Sequence, residues 1–221
     1  MHNRLVVKVG SGYIFQRNEY GFYNPRPGQI PGLVEELSIL SEENDVILVS
    51  SGAIASAAWK LGIKEIPKND YDKARLSGIG QPVLMELYRK EFEKHGKICA
   101  QCLITRDDFD VKERRRNLRR NQEGYFLDDV IAIYNENDLI SIDEITFGDN
   151  DILAALLAKY TDADMLIMLS YSEEGLGFGG ESSKQKAKEI VENEDIRMEI
   201  INDLYELDDS GLYKPKIRLV L

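Results

Sequence analysis

The chain has 221 residues, 43% of them hydrophobic, enough for one large domain or two small ones around a real core. Its formal net charge is -11 and its pI about 4.8, which argues against nucleic acid and anionic membranes as partners, since both need a basic footprint. Residues 1–10 lack a long apolar stretch and no run reaches the roughly 20 apolar residues of a membrane span, so the sequence reads as soluble and cytoplasmic.

In chain order, short apolar runs at Arg4–Val9, 46–49, 98–105, 130–134 and Met165–Leu169 read as strands of a sheet buried on both faces. Between them, 30–43, 54–61, 71–95, 114–126 and 150–159 read as helices. In the third of these, Leu84, Leu87, Tyr88 and Phe92 recur at helical spacing as a core stripe. The alternation predicts a three-layer αβα sandwich with a mainly parallel central sheet. The stretch 18–31, rich in Gly, Pro and Tyr, reads as a loop or hairpin. A helix around 198–207 and a last strand at 216–221 are expected in the charged tail.

Two local features have plain readings. Cys99 and Cys102 lie on the predicted strand 98–105, where residues three apart point to opposite faces, so they read as separate buried thiols rather than half a zinc site. Five arginines crowd 114–120, either as a solvated helix face or as an anion-binding or subunit contact.

The chemistry-bearing residues sit at the ends of the predicted strands, where α/β proteins bind ligands. Lys8 interrupts an apolar strand and is followed by Gly10 and Gly12. A lysine is costly to bury unless it meets an anion, and glycines let backbone N–H groups approach a phosphate closely. The Gly-Lys-Ser/Thr order of a Walker loop is missing. Ser50-Ser51-Gly52 links the second strand to a helix, either as an N-cap or as an anion site at the helix N-terminus. Asn135-Glu136-Asn137-Asp138 follows the fourth strand, and Gly148-Asp149-Asn150-Asp151 opens a helix. Together these clusters supply amides and carboxylates that could bind a substrate amine and orient lysines.

These motifs resemble the amino-acid kinase family, and within it the kinases that phosphorylate the side-chain carboxylate of glutamate. The similarity runs over residues 4–170: Val6-Val7-Lys8-Val9-Gly10, Val49-Ser50-Ser51-Gly52-Ala53-Ile54-Ala55, Gly80-Gln81, Leu103-Ile104-Thr105-Arg106-Asp107-Asp108, Asn117 and Arg119, then the two acidic-amide clusters. The resemblance implies one kinase-like domain over 1–221, with an acceptor lobe at about 1–160 and a shortened nucleotide lobe at about 161–221. It implies that Lys8 contacts the transferring phosphoryl group and Gly10 cradles phosphates. Ser51, Gly52, Asp138 and Asn150 would hold glutamate, Asp149 would shape its site, and Asp151 would orient the catalytic lysines. Glutamate, ATP and Mg2+ are the implied ligands, proline a feedback inhibitor, and a homo-oligomer (dimer or tetramer) the implied assembly.

The nucleotide half departs from the family pattern. Tyr171 stands where the family has an aspartate after the strand. In one alignment Gly175-Leu176 is the family's Gly-Leu-Tyr element and the later lysine motif is lost. In the other, Gly177 to Ser183 is the Gly-rich phosphate motif and Lys184 is the second catalytic lysine. On the second, Ser170, Tyr171, Gly179, Gly180 and Lys184 would face the nucleotide. No protein metal site is expected. The alternative functions are an amino-acid-binding or regulatory relative without ATP chemistry, and a same-fold kinase for another small acid.

Overall fold

A computed structural model describes residues 2–141, 150–169 and 181–201 and two short strands beyond them. Strand β1 (Arg4–Val9) is followed by a one-turn helix α1 (Ser11–Ile14) and a hairpin of β2 (Phe15–Arg17) and β3 (Tyr23–Pro25). Helix α2 (Gln29–Leu40) leads to β4 (Asp45–Ser50), α3 (Ala53–Leu61) and the long α4 (Asp70–Lys94). Then come β5 (Ile98–Ile104), α5 (Lys112–Leu127), β6 (Val130–Glu136), α6 (Asn150–Tyr160), β7 (Met165–Leu169), α7 (Glu181–Glu192) and β8 (Arg197–Ile201).

Six strands form one sheet in the order β5-β6-β4-β1-β7-β8, every pairing parallel. Side-chain alternation along β1 explains the layers. Leu5, Val7 and Val9 face a core closed by α2, α3 and α4, through residues such as Leu37, Ala58, Leu84 and Tyr88. Val6 faces the opposite core, built with Leu153, Leu157, Ala187 and Val191 of α6 and α7 and with Leu118 of α5. The expected three-layer αβα sandwich is therefore present. Cys99 and Cys102 pack toward opposite cores, as strand alternation requires.

Helices α3 and α4 meet at a glycine. A Cβ placed on Gly80 would lie 1.7 Å from the Ala53 carbonyl oxygen, so the helices approach each other only because position 80 has no side chain.

The tail differs from the sequence expectation. In place of a helix around 198–207 stands β8, followed by an antiparallel pair, β9 (Tyr205–Leu207) with β10 (Tyr213–Pro215). Ile201 is 5% exposed and Ile200 49%, the period of a strand on the open edge of β7. The helix lies earlier, at α7, where Ser183, Ala187 and Val191 are buried at spacings of four. The strand expected at 216–221 lies outside the described residues.

Three arginines of the cluster on α5 have partners within the chain. Arg114 bonds Asp108 at 2.8 Å, Arg119 pairs with Asp162, and Arg115 lies over the Tyr160 ring. Among the described residues, no helix is long and apolar enough to cross a membrane.

Candidate active site

The candidate residues gather at the carboxyl ends of β1, β4 and β6. Lys8 points to the α6 side of the sheet, and its Nζ forms an ion pair with Asp151 in the first turn of α6. Lys8 is 8% exposed and Asp151 fully buried. The aspartate has two further stabilisers: the partial positive charge of the α6 N-terminus, and Ser183 of α7, whose Oγ donates to Asp151 Oδ2 at 2.8 Å. A buried ion pair repays its desolvation only with such extra bonds. Ser183→Ala leaves a buried carboxylate oxygen short of a donor. Chemical denaturation should show a loss of about 1.5–3 kcal/mol, the usual worth of a hydrogen bond to a charged group.

Ser183 also brings the first turn of α7 to the lysine-aspartate pair. Lys184, the next residue, is half-buried in that turn. Gly10 follows β1, and a Cβ there would come within 3.8 Å of Lys8 Nζ, narrowing the space beside the ammonium. The Gly10 N–H itself donates to Leu169 O at 3.3 Å.

On the neighbouring strand, neither serine caps α3. The N-cap position belongs to Gly52, whose φ of 113° suits glycine. Ser50 Oγ lies 2.8 Å from Tyr88 OH, and Ser51 Oγ accepts from Asn150 Nδ2 at 2.8 Å. Asn150 Nδ2 also donates to Asn135 Oδ1 at 2.8 Å, while Asn150 Oδ1 is buried without a hydrogen-bond partner among the described residues. Ser51, Asn135 and Asn150 thus converge from three elements, one position from Asp151.

Asp138 lies in the turn after β6 and lines a pocket of about 230 Å³ with Ser77, Gln81, Gln101, Leu103 and Glu136. Burial pushes the Asp138 carboxyl above the ordinary aspartate range, and a hydrogen bond from Ser77 partly opposes this. Asp149, Ser170, Tyr171, Gly179 and Gly180 lie outside the described residues. Asn135, Gln81 and Ser183 stood inside motifs read from the sequence but were given no role of their own there, and Ser77 was not named. The clue for Ser77 and Gln81 was available: positions 77 and 81 continue the buried stripe of Leu84, Tyr88 and Phe92 with polar side chains.

The sequence pattern of the amino acid kinase family matches residues 3–217. The chain belongs to the amino acid kinase family. Within the family it is similar to the glutamate 5-kinase of Thermoanaerobacter sp. (strain X514), 42% identical over 168 residues, which cover 76% of this chain and 44% of that protein. It is 38% identical over 198 residues to glutamate 5-kinase 2 of Bacillus subtilis (strain 168), covering 89% of this chain and 52% of the relative. The chain thus spans about half the length of these relatives. Among solved structures it resembles UMP kinase from Ureaplasma parvum, with a TM-score of 0.56 at 14% identity, covering 91% of this chain and 90% of that one. That likeness carries the amino acid kinase fold alone.

Proposed function

We propose that this amino acid kinase transfers the γ-phosphoryl group of ATP to the side-chain carboxylate of glutamate, giving glutamyl 5-phosphate and ADP, the first step of proline biosynthesis. The observation that carries the reading is the convergence of Ser51, Asn135 and Asn150 beside the buried Lys8–Asp151 pair. Similarity to glutamate 5-kinases supports the choice of acceptor.

The residue types suit the chemistry. A glutamate side chain, with an ordinary pKa of about 4.3, is already ionised at neutral pH, so the nucleophile needs no general base. A carboxylate oxygen forms the new P–O bond as the bond to the ADP oxygen breaks. The site must hold two anions in line and neutralise the phosphoryl oxygens. Lys8 supplies a positive charge, Asp151 fixes its direction, and the missing Cβ at Gly10 leaves room for a phosphate beside it. Ser51 and Asn150 position the acceptor, with Asn150 Oδ1 as a waiting hydrogen-bond acceptor, and Gly52 and Asp149 shape its surroundings. Lys184 serves as the second lysine, and Ser170, Tyr171, Gly179 and Gly180 flank the nucleotide; the bond between Ser183 and Asp151 favours the alignment that makes residues 177–184 the phosphate motif. Asp151 is committed to Lys8 and Ser183, so magnesium would ride on the nucleotide phosphates and supply charge neutralisation there. On this reading residues 1–160 form the acceptor lobe and 161–221 the nucleotide lobe of one domain.

Hydroxylamine trapping tests the assignment. ATP and glutamate together should yield a hydroxamate, and neither alone should. If no acyl phosphate is trapped while glutamate still raises the melting temperature, the chain is a binding relative and the kinase reading fails. Light scattering and proline titration test the homo-oligomer and the feedback inhibition that belong to the proposal.

Asp138 provides a check on the acceptor side. Its folded-state pKa is raised, so its protonation favours the fold: that contribution is complete below the ordinary aspartate range and is lost as pH rises through the raised value. At neutral pH the ionised group is therefore a burden to the free protein. Asp138→Asn should raise the melting temperature of the free chain at pH 7, with the difference vanishing in acid, and should abolish the thermal shift caused by glutamate. A variant that keeps the shift would remove Asp138 from the substrate site.

A further inference from the structure

Gln81 lies on α4, one helical turn beyond Ser77 and on the same face, at 6% exposure on the wall of the Asp138 pocket. Its Oε1 accepts from Gln101 Nε2 at 3.4 Å. That bond occupies Oε1 and leaves Nε2 as the end of the amide still open to a partner. Nε2 is buried and has no hydrogen-bond partner among the described residues. A buried amide N–H left without an acceptor is unfavourable, and an apolar residue of similar size would fill the site without that cost. The stripe that Gln81 extends is otherwise apolar through Leu84, Tyr88 and Phe92. The polar side chain is therefore out of keeping with packing alone and points to a ligand that supplies the missing acceptor.

The same pocket holds the carboxylates of Asp138 and Glu136. Carboxylates favour a cation, while a free amide N–H asks for an acceptor. A small molecule meeting both needs has an ammonium and an anionic oxygen on neighbouring atoms, which is the head group of an α-amino acid. We propose that Gln81 Nε2 donates to the α-carboxylate of the acceptor and that this contact makes the site select an α-amino acid over an amine that lacks the second carboxylate. The assignment rests on the glutamate reading above and adds to it a specificity-determining residue.

The discriminating ligand is 4-aminobutyrate, which is glutamate without its α-carboxylate and keeps both the amine and the reacting carboxylate. The full chain is titrated with each ligand by calorimetry and assayed with each by hydroxylamine trapping, in the wild type and in Gln81→Leu and Gln81→Glu. The wild type should prefer glutamate by about a hundredfold or more, as sites built to bond a polar group reject analogues lacking it. Gln81→Leu should lose most of that preference, with glutamate affinity falling at least tenfold and that for 4-aminobutyrate changing less than threefold. Gln81→Glu, isosteric but charged, should repel glutamate further and spare 4-aminobutyrate. Retained 4-aminobutyrate binding shows that a variant is folded. Equal losses for both ligands, or an unchanged ratio in both variants, would overturn the role of Gln81 and leave the glutamate site standing. A wild type that binds neither ligand would remove the glutamate reading and this proposal with it.

Discussion

Replacing Lys8 with Met should lower the rate of acyl-phosphate trapping by about a hundredfold or more, the typical cost of removing one charge-stabilising donor. The same substitution should lower the unfolding free energy by about 3–5 kcal/mol, because it leaves the fully buried Asp151 without its counter-charge. The two losses have different origins and can be separated. In the double variant Lys8→Met with Asp151→Asn, the buried charge is gone from both sides. Stability should return most of the way, since replacing a whole buried pair by neutral groups is often close to neutral. Turnover should not return, because the phosphoryl oxygens still lack their cation. Denaturant melts and trapping assays on Lys8→Met, on Asp151→Asn alone and on the double variant complete the cycle. A Lys8→Met protein with unchanged turnover would sink the catalytic role. A double variant no more stable than the single one would sink the buried-pair account.

Gly80→Ala should be the most damaging single methyl addition among the described glycines. The new Cβ would fall 1.7 Å from the Ala53 carbonyl oxygen and 2.8 Å from the Ala57 amide nitrogen, both rigid backbone atoms. Helices α3 and α4 must then separate by more than an ångström, and we expect a loss of about 3 kcal/mol or more, at the upper end of overpacking effects. The damage should reach ligand binding, since Ser51 and Gly52 enter α3 while Ser77 and Gln81 ride on α4. Gly124→Ala in α5 is the control. Nothing lies within 4 Å of its Cβ position, so the change should stabilise by about 0.4–1 kcal/mol through helix propensity and unfolded-state entropy. If thermal melts of the two variants coincide, the close approach at Gly80 is not a constraint on the fold.

The central part of the fold was legible because its signals are local. Buried parallel strands are continuous apolar runs, and Arg4–Val9 and Met165–Leu169 were bounded to the residue. The tail was not legible, because β8 is a strand by virtue of the open edge of β7, a partner roughly thirty residues away. At the site, Lys8 stood out as a lysine in an apolar strand, the role of Asp151 came from the family resemblance, and the structure pairs the two. The bond from Ser183 to Asp151 could not be foreseen, since it depends on two helices of one layer meeting at their first turns. Gln81 was noted only as part of the Gly80-Gln81 motif and given no role, since its placement on the wall of the Asp138 pocket depends on β5 and β6 lying against α4.

The place of β1 in the sheet sets a timetable for synthesis. This strand precedes both of its neighbours in the chain, yet it lies between β4 and β7, and the second neighbour ends only at Leu169. Until then one side of an almost wholly apolar segment stays unpaired, which is an opening for wrong partners. The lysine it carries waits as well, because Asp151 and Ser183 arrive about 140 and 175 residues later, by the numbering alone. Assembly of the buried pair is thereby tied to completion of the sheet. A nascent chain stalled before residue 150 should hold neither the charge balance nor the edge protection of the finished domain.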